Sequence, residues 1–205
     1  MHWSDEGYLL SKNNFDENSI IIETFTLNHG KHSGIVYGGS SRKQRRNFQI
    51  GNKMLLHWRS KNENKSGYFN FELIKPIGPL FFDDKKRSTC ILSATSILKI
   101  LLPERQVNRR IYLSFENVLE NLKFNNWIKF YLEWELSLVK DLGYENNSTF
   151  KVPKIYMEKN KDISINKNDI KEAFFFNKNL LIENFISPNR LKFPLFRNLL
   201  ESYFN

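Results

Sequence analysis

The residues of this chain best suited to chemistry with another molecule are Arg42-Lys43-Gln44-Arg45-Arg46, four cations in five positions with no acid among them. Guanidinium and ammonium groups at this density neutralise phosphates and release counterions. Gly38-Gly39-Ser40-Ser41 leads into them and predicts a flexible loop able to follow an irregular anionic strand. Upstream, Phe25-Thr26-Leu27-Asn28-His29-Gly30-Lys31-His32-Ser33-Gly34 predicts a strand end, a turn at Asn28–Lys31 and a second strand over Ser33–Tyr37. The competing reading of the basic run is a solvated turn that happens to be cationic.

Aromatic side chains can add stacking faces for bases. Tyr68-Phe69-Asn70-Phe71-Glu72-Leu73 alternates, so Phe69 and Phe71 are expected in a core and Tyr68 on the outer face. The candidate nucleic-acid contacts are therefore Lys31, His32, Arg42, Lys43, Arg45, Arg46, Arg59 and Tyr68.

Catalytic chemistry is poorly provided for. No Gly-rich phosphate loop with its Lys-Ser/Thr is present. Glu133 and Glu135, two apart on a helix, point to different faces and cannot work as a paired acid and base. His29 and His32 have no acid or thiol in their own segment to complete a metal site, and Cys90 is the single cysteine. No catalytic residue, metal or cofactor is expected, and Cys90, within an apolar run, is expected in the core. Asp83-Asp84 reads as a solvated acidic pair in a linker.

The elements that position these residues divide in two. The first part is β-like: Gly7–Leu10, Ser19–Phe25, Ser33–Tyr37, Lys53–Arg59 and Tyr68–Leu73, with a turn at Gln49–Asn52 and a polar hairpin tip at Lys61–Gly67. Five short strands predict a small closed barrel, an OB-fold first and an SH3-like barrel second. Pro76-Ile77-Gly78-Pro79 then changes the period from 2 to 3.6. A helix capped by Ser88 or Thr89 is expected to end at Pro103, a second to start at Asn108, and a third to open at Asn125 or Asn126 and close at Gly143. A Lys/Asn-rich insert with a strand-like centre at Lys154–Met157 follows. Helices over Asp169–Ile186 and about Pro194–Phe204 complete the chain, separated by a turn at Ser187-Pro188-Asn189. Phe174-Phe175-Phe176 cannot all lie on one buried stripe. The predicted class is α+β: an OB-fold domain over residues 1–78, and an all-helical domain over residues 79–205 with an insert at about 146–168.

Composition agrees with an anionic partner. The net charge is +9, spread over both parts: residues 1–80 carry 11 Lys/Arg against 7 Asp/Glu, and residues 81–205 carry 20 against 15. Nucleic acid is the first class of partner this suggests and an acidic membrane surface the second. The hydrophobic fraction of 40% excludes a disordered chain. No apolar stretch approaches a membrane span, the opening MHWSDEG lacks the pattern of a signal peptide, and the one cysteine suits a reducing cytosol.

At these residues the sequence resembles the RecO family of bacterial recombination-repair proteins, in its alphaproteobacterial form. The resemblance is carried by Trp3–Ser11, by Phe25–Gly34, by Val36-Tyr37-Gly38-Gly39-Ser40-Ser41-Arg42, and by Leu101-Leu102-Pro103-Glu104-Arg105. Trp134-Glu135-Leu136 and Leu142-Gly143-Tyr144 add to it. Gln49-Ile50-Gly51-Asn52 is similar to the family's proline-glycine turn, with Ile50 in place of proline. The resemblance implies an OB-fold followed by a helical domain, and a cytoplasmic, nucleoid-associated protein. It implies single-stranded DNA binding and annealing, with RecR as partner, in loading RecA onto strands coated by single-stranded-DNA-binding protein. The acidic, apolar C-terminal tail of that protein is expected to dock on the helical domain. Many relatives carry a cysteine-based zinc module where this chain has Asn146–Pro153, so a function resting on that module is not expected here. An RNA-binding or translation-associated OB protein is the alternative, since a basic loop does not by itself distinguish ribose from deoxyribose.

Overall fold

The computed structural model describes residues 1–61, 67–143, 152–157 and 166–205. Residues 62–66 of the polar tip expected at Lys61–Gly67, and most of the insert, fall outside them.

The five strands are β1 (His2–Asn14), β2 (Ser19–Thr26), β3 (Gly30–Tyr37), β4 (Lys53–Arg59) and β5 (Gly67–Lys75). They close into a barrel in the order β1-β2-β3-β5-β4, the connectivity of an OB-fold. β1 is much longer than the four residues expected, because it serves two neighbours. His2–Tyr8 pairs with β4 and Gly7–Asn14 with β2, with a register shift between Leu9 and Ser11. The barrel closes through the parallel pairs Gly34↔Gly67 and Ile35↔Tyr68. Both glycines are steric requirements: a side chain at Gly34 would enter the Phe69 ring, and one at Gly67 the Trp58 indole. Leu9, Ile20, Ile22, Val36, Phe48, Met54, Leu56, Trp58 and Phe69 fill the interior, with Phe71 packed against them.

A short helix, α1 (Arg42–Arg45), occupies the β3–β4 connection, and α2 (Ile77–Leu80) follows the barrel. The helical layer is built from α3 (Lys85–Leu101), α4 (Arg109–Asn121), α5 (Trp127–Asp141), α6 (Lys167–Leu181) and α7 (Leu195–Ser202). α3 starts three residues before the expected Ser88 cap. Asp84 is the cap, accepting from the N–H groups of Lys86 and Arg87 at 3.1 and 3.0 Å and pairing with the Arg87 guanidinium. The pair Asp83-Asp84 is thus not simply solvated. Asn108 caps α4 as expected, accepting from Ile111 N–H at 3.0 Å, and Gly143 ends α5 with φ +89°. The strand-like centre expected at Lys154–Met157 is instead a turn of 3-10 helix over Lys154–Tyr156. Ile155 is buried there, and the Tyr156 hydroxyl donates to Asn177 Oδ1 at 2.8 Å. α6 continues as a π-helical turn over Ile182–Ile186, so the long helix expected there changes hydrogen-bond pattern near its end. Phe174 and Phe176 are buried and Phe175 is exposed.

Two polar links organise these layers. Arg197, wholly buried on α7, donates to both carboxylate oxygens of Glu135 on α5, at 2.5 and 3.1 Å, and to the Phe174 carbonyl. Tyr131 and Asn177 also donate to Glu135, so each of its carboxylate oxygens accepts two hydrogen bonds, and Arg197 donates further to Glu201 at 3.0 Å. The second link joins barrel to helices. Tyr8, Leu10 and Phe25 point outward from the barrel into the same hydrophobic cluster as α3, α4 and α5. The Tyr8 hydroxyl donates to Glu116 at 2.7 Å, and Lys53 bridges Glu116 and Glu6 at 2.8 Å each.

Candidate nucleic-acid interface

The basic run is ordered rather than looped. Gly38 turns the chain with φ +71°, and Ser41 accepts through its carbonyl from Gln44 and Arg45 N–H at 3.0 and 2.9 Å. One helical turn results, with Arg42, Lys43, Arg45 and Arg46 exposed around it. It is pinned from below. Asn47 Nδ2 donates to Gln44 Oε1 at 2.9 Å, buried Asn52 donates to the Asn47 carbonyl at 2.9 Å, and Phe48 is sunk in the barrel. No ion pair among the described residues engages the four cations.

Strand register supplies the stacking faces. Arg59 is opposite Tyr68 across β4 and β5, and Tyr68 is opposite Ile35 across β5 and β3. Tyr37 lies two residues beyond Ile35 on the same outward face. The Tyr37 and Tyr68 rings are 6.2 Å apart and tilted by 52°, with 68% and 37% of the residues exposed. Arg59, Tyr68 and Tyr37 therefore form one row across the barrel wall, which leads through Gly38 into α1. A hollow of about 370 Å³ beside Tyr68 is lined by Met1, His2, Arg59, Ser60 and Lys61. Tyr37 is not among the candidates drawn from sequence, although alternation around buried Val36 places it outward.

Lys31 and His32 are placed elsewhere. The Lys31 amine donates to the Lys99 carbonyl at 2.8 Å, and burial holds its pKa below the usual value. His32 is buried, edge-on to Trp3 and Trp58 at ring distances of 5.0 and 5.5 Å. Burial, helped by the nearby Arg105 charge, pushes its pKa down to about 4. His29 stacks on Trp3 at 4.2 Å and meets Asp5 at 3.0 Å. Burial pushes the Asp5 carboxyl up, but hydrogen bonds from Asn28 N–H, the His29 ring and the Asn28 side chain outweigh it and leave the pKa lowered. Trp3, His29, His32 and Trp58 pack as one aromatic group. Neither Lys31 nor His32 joins the row at Tyr68: the Lys31 amine is held at the Lys99 carbonyl and His32 is buried.

Of the two glutamates on α5, Glu135 is buried against Arg197 and Glu133 is exposed. Among the described residues no three His, Cys, Asp or Glu side chains come together as metal ligands, and no helix is long and apolar enough to cross a membrane. The chemistry on offer is phosphate neutralisation beside aromatic faces.

Comparison with known proteins gives a consistent family. The family model described as Recombination protein O N terminal matches residues 1–77, and that described as Recombination protein O C terminal matches residues 83–152. The chain is 37% identical to the DNA repair protein RecO of Roseobacter denitrificans over 145 residues, covering 70% of this chain and 60% of that one. It is 33% identical to the protein of that name from a Wolbachia of Drosophila simulans over 147 residues, or 71% and 60%. With the Cereibacter sphaeroides protein it shares 33% over 144 residues, or 70% and 60%. The chain thus spans about 60% of the length of the curated relatives it matches.

Proposed function

The chain belongs to the RecO family, and from that premise we propose that it is a non-catalytic DNA repair mediator that binds and anneals single-stranded DNA. The observation that carries this reading is the continuous row of Arg59, Tyr68 and Tyr37 running into the unpaired cations of α1. Arg42, Lys43, Arg45 and Arg46 take phosphates while the two tyrosines take base faces. Base edges stay open, so a second strand can pair with the first while both are held. Lys31 and His32 have no part in this.

In the same reading the protein works in the bacterial cytoplasm, at the nucleoid, with RecR, and helps place RecA on strands coated by single-stranded-DNA-binding protein. The tail of that protein docks on the helical layer, whose residues 81–205 are net basic. Competition of single-stranded DNA, duplex DNA and RNA for the purified full chain is the first test. Single-stranded DNA should compete best and duplex worst. Superior competition by RNA would transfer the protein to the translation-associated alternative. A labelled tail peptide titrated against the full chain should bind in a salt-sensitive way, and absence of binding at low salt removes the tail from the scheme.

A further inference from the structure

Beyond α1 the barrel meets the helical layer at a groove of about 400 Å³. Arg46, Gln49 and Ile50 form one wall, and Phe82, Ser88 and Ile91 lie on the other. The groove is built rather than incidental. Buried Asn52 bridges its walls, donating to the Asn47 carbonyl at 2.9 Å and accepting from Gly78 N–H at 3.0 Å. Gly51, with φ +85°, lets the β3–β4 connection touch α3, since any side chain there would enter Ile91. Phe82 is 83% exposed at the mouth, the most exposed large hydrophobic residue among those described.

We infer that this groove captures a base of the strand whose phosphates lie on α1, with Phe82 as the stacking face. The inference rests on the single-strand reading above and extends the interface off the barrel onto the helical layer. Charge selects the occupant. Arg46 belongs both to the cationic turn and to the groove wall, so a strand crossing α1 presents its next base to the opening. The volume exceeds the roughly 300 Å³ at which small-ligand pockets begin. Apolar Ile50 and Ile91 accept a heterocycle's flat face, while Gln49 and Ser88 can bond its polar edge.

The experiment compares binding of a thymidine oligonucleotide and an abasic oligonucleotide of equal length by the full chain. The variants are Phe82→Ala and Phe82→Trp; the exposure of Phe82 leaves folding unaffected by either. An abasic strand keeps its phosphates, so α1 still holds it. Phe82→Ala should reduce the preference for thymidine over abasic DNA by about five- to a hundred-fold, the worth of one stacked base. It should leave abasic binding unchanged, and Phe82→Trp should restore the preference. If wild-type protein binds neither oligonucleotide, the single-strand reading itself fails. If it binds both and Phe82→Ala leaves the ratio unaltered, the groove is not a base site, which is also the result expected were it to hold a peptide of another protein.

Discussion

A ring in a strand can face water or core, and for His32 the choice determines how the protein responds to acid. The free imidazole titrates near 6.5, whereas burial between Trp3 and Trp58 lowers His32 to about 4. The folded protein therefore holds fewer protons on this group than the unfolded chain does between those values. Its stabilising contribution is complete above about pH 6.5 and is lost as pH falls towards 4. The urea midpoint should fall between pH 6.5 and 4.5, and His32→Phe should make that fall shallower. Identical pH dependence in the two proteins would mean that His32 is neutral to the balance. Asp5, held low by its hydrogen bonds, loses its contribution only at lower pH and so leaves this window clean. The partners of His32 could not be read from sequence, because Trp3 and Trp58 are brought together by β1 and β4, although alternation with Val36 along β3 places the ring inward. Tyr68, Phe69 and Phe71 were legible for the opposite reason: period-2 alternation is local, and it assigns faces without any knowledge of the partner strand.

α1 is the element on which the proposed phosphate contacts depend. Four contacts to a single strand should contribute about −3 to the slope of log K against log salt, at roughly −0.7 each. Replacing Arg42, Lys43, Arg45 and Arg46 together with Ser should flatten the slope by that amount and weaken all sequences alike. The turn is pinned through Gln44, Asn47, Asn52 and Phe48 rather than through the cations, so the variant keeps its barrel. An unchanged slope would move the phosphate site elsewhere. At this scale strands and helices were readable wherever periodicity ran long, as in α4, α5 and β4. Ends were not, because caps depend on single side chains. Asp84 captures two backbone N–H groups and Arg87, which starts α3 ahead of Ser88. Lys154–Tyr156 carries too few residues to establish a period, and the burial of Ile155 settles its shape.

At the scale of the molecule the question is whether barrel and helices behave as one body. The sequence marks a change of period near Pro76, which suggests two units, yet it does not reveal that the outward face of β1 is apolar for a purpose. Tyr8, Leu10 and Phe25 leave the barrel and enter the cluster built by α3, α4 and α5. Tyr8 and Lys53 both reach Glu116, whose carboxyl burial pushes up but whose hydrogen bonds from these two partners hold low. Separating the parts would expose those rings to water and break the Glu116 bonds to Tyr8 and Lys53. The full chain should therefore unfold in one transition, with a common urea midpoint for peptides from β1–β5 and from α3–α5 in pulsed hydrogen exchange read by mass spectrometry. Tyr8→Ala should lower both sets equally, by about 3–5 kcal/mol, as expected for truncating a buried aromatic side chain. Two midpoints in the wild-type chain, or a loss confined to the barrel peptides, would show that the contact is decorative. The outcome bears on function, because α1 and Arg46 lie on the barrel side of this seam and Phe82 on the helical side, with the groove between them. A strand spanning both is held in one geometry only if the seam does not open.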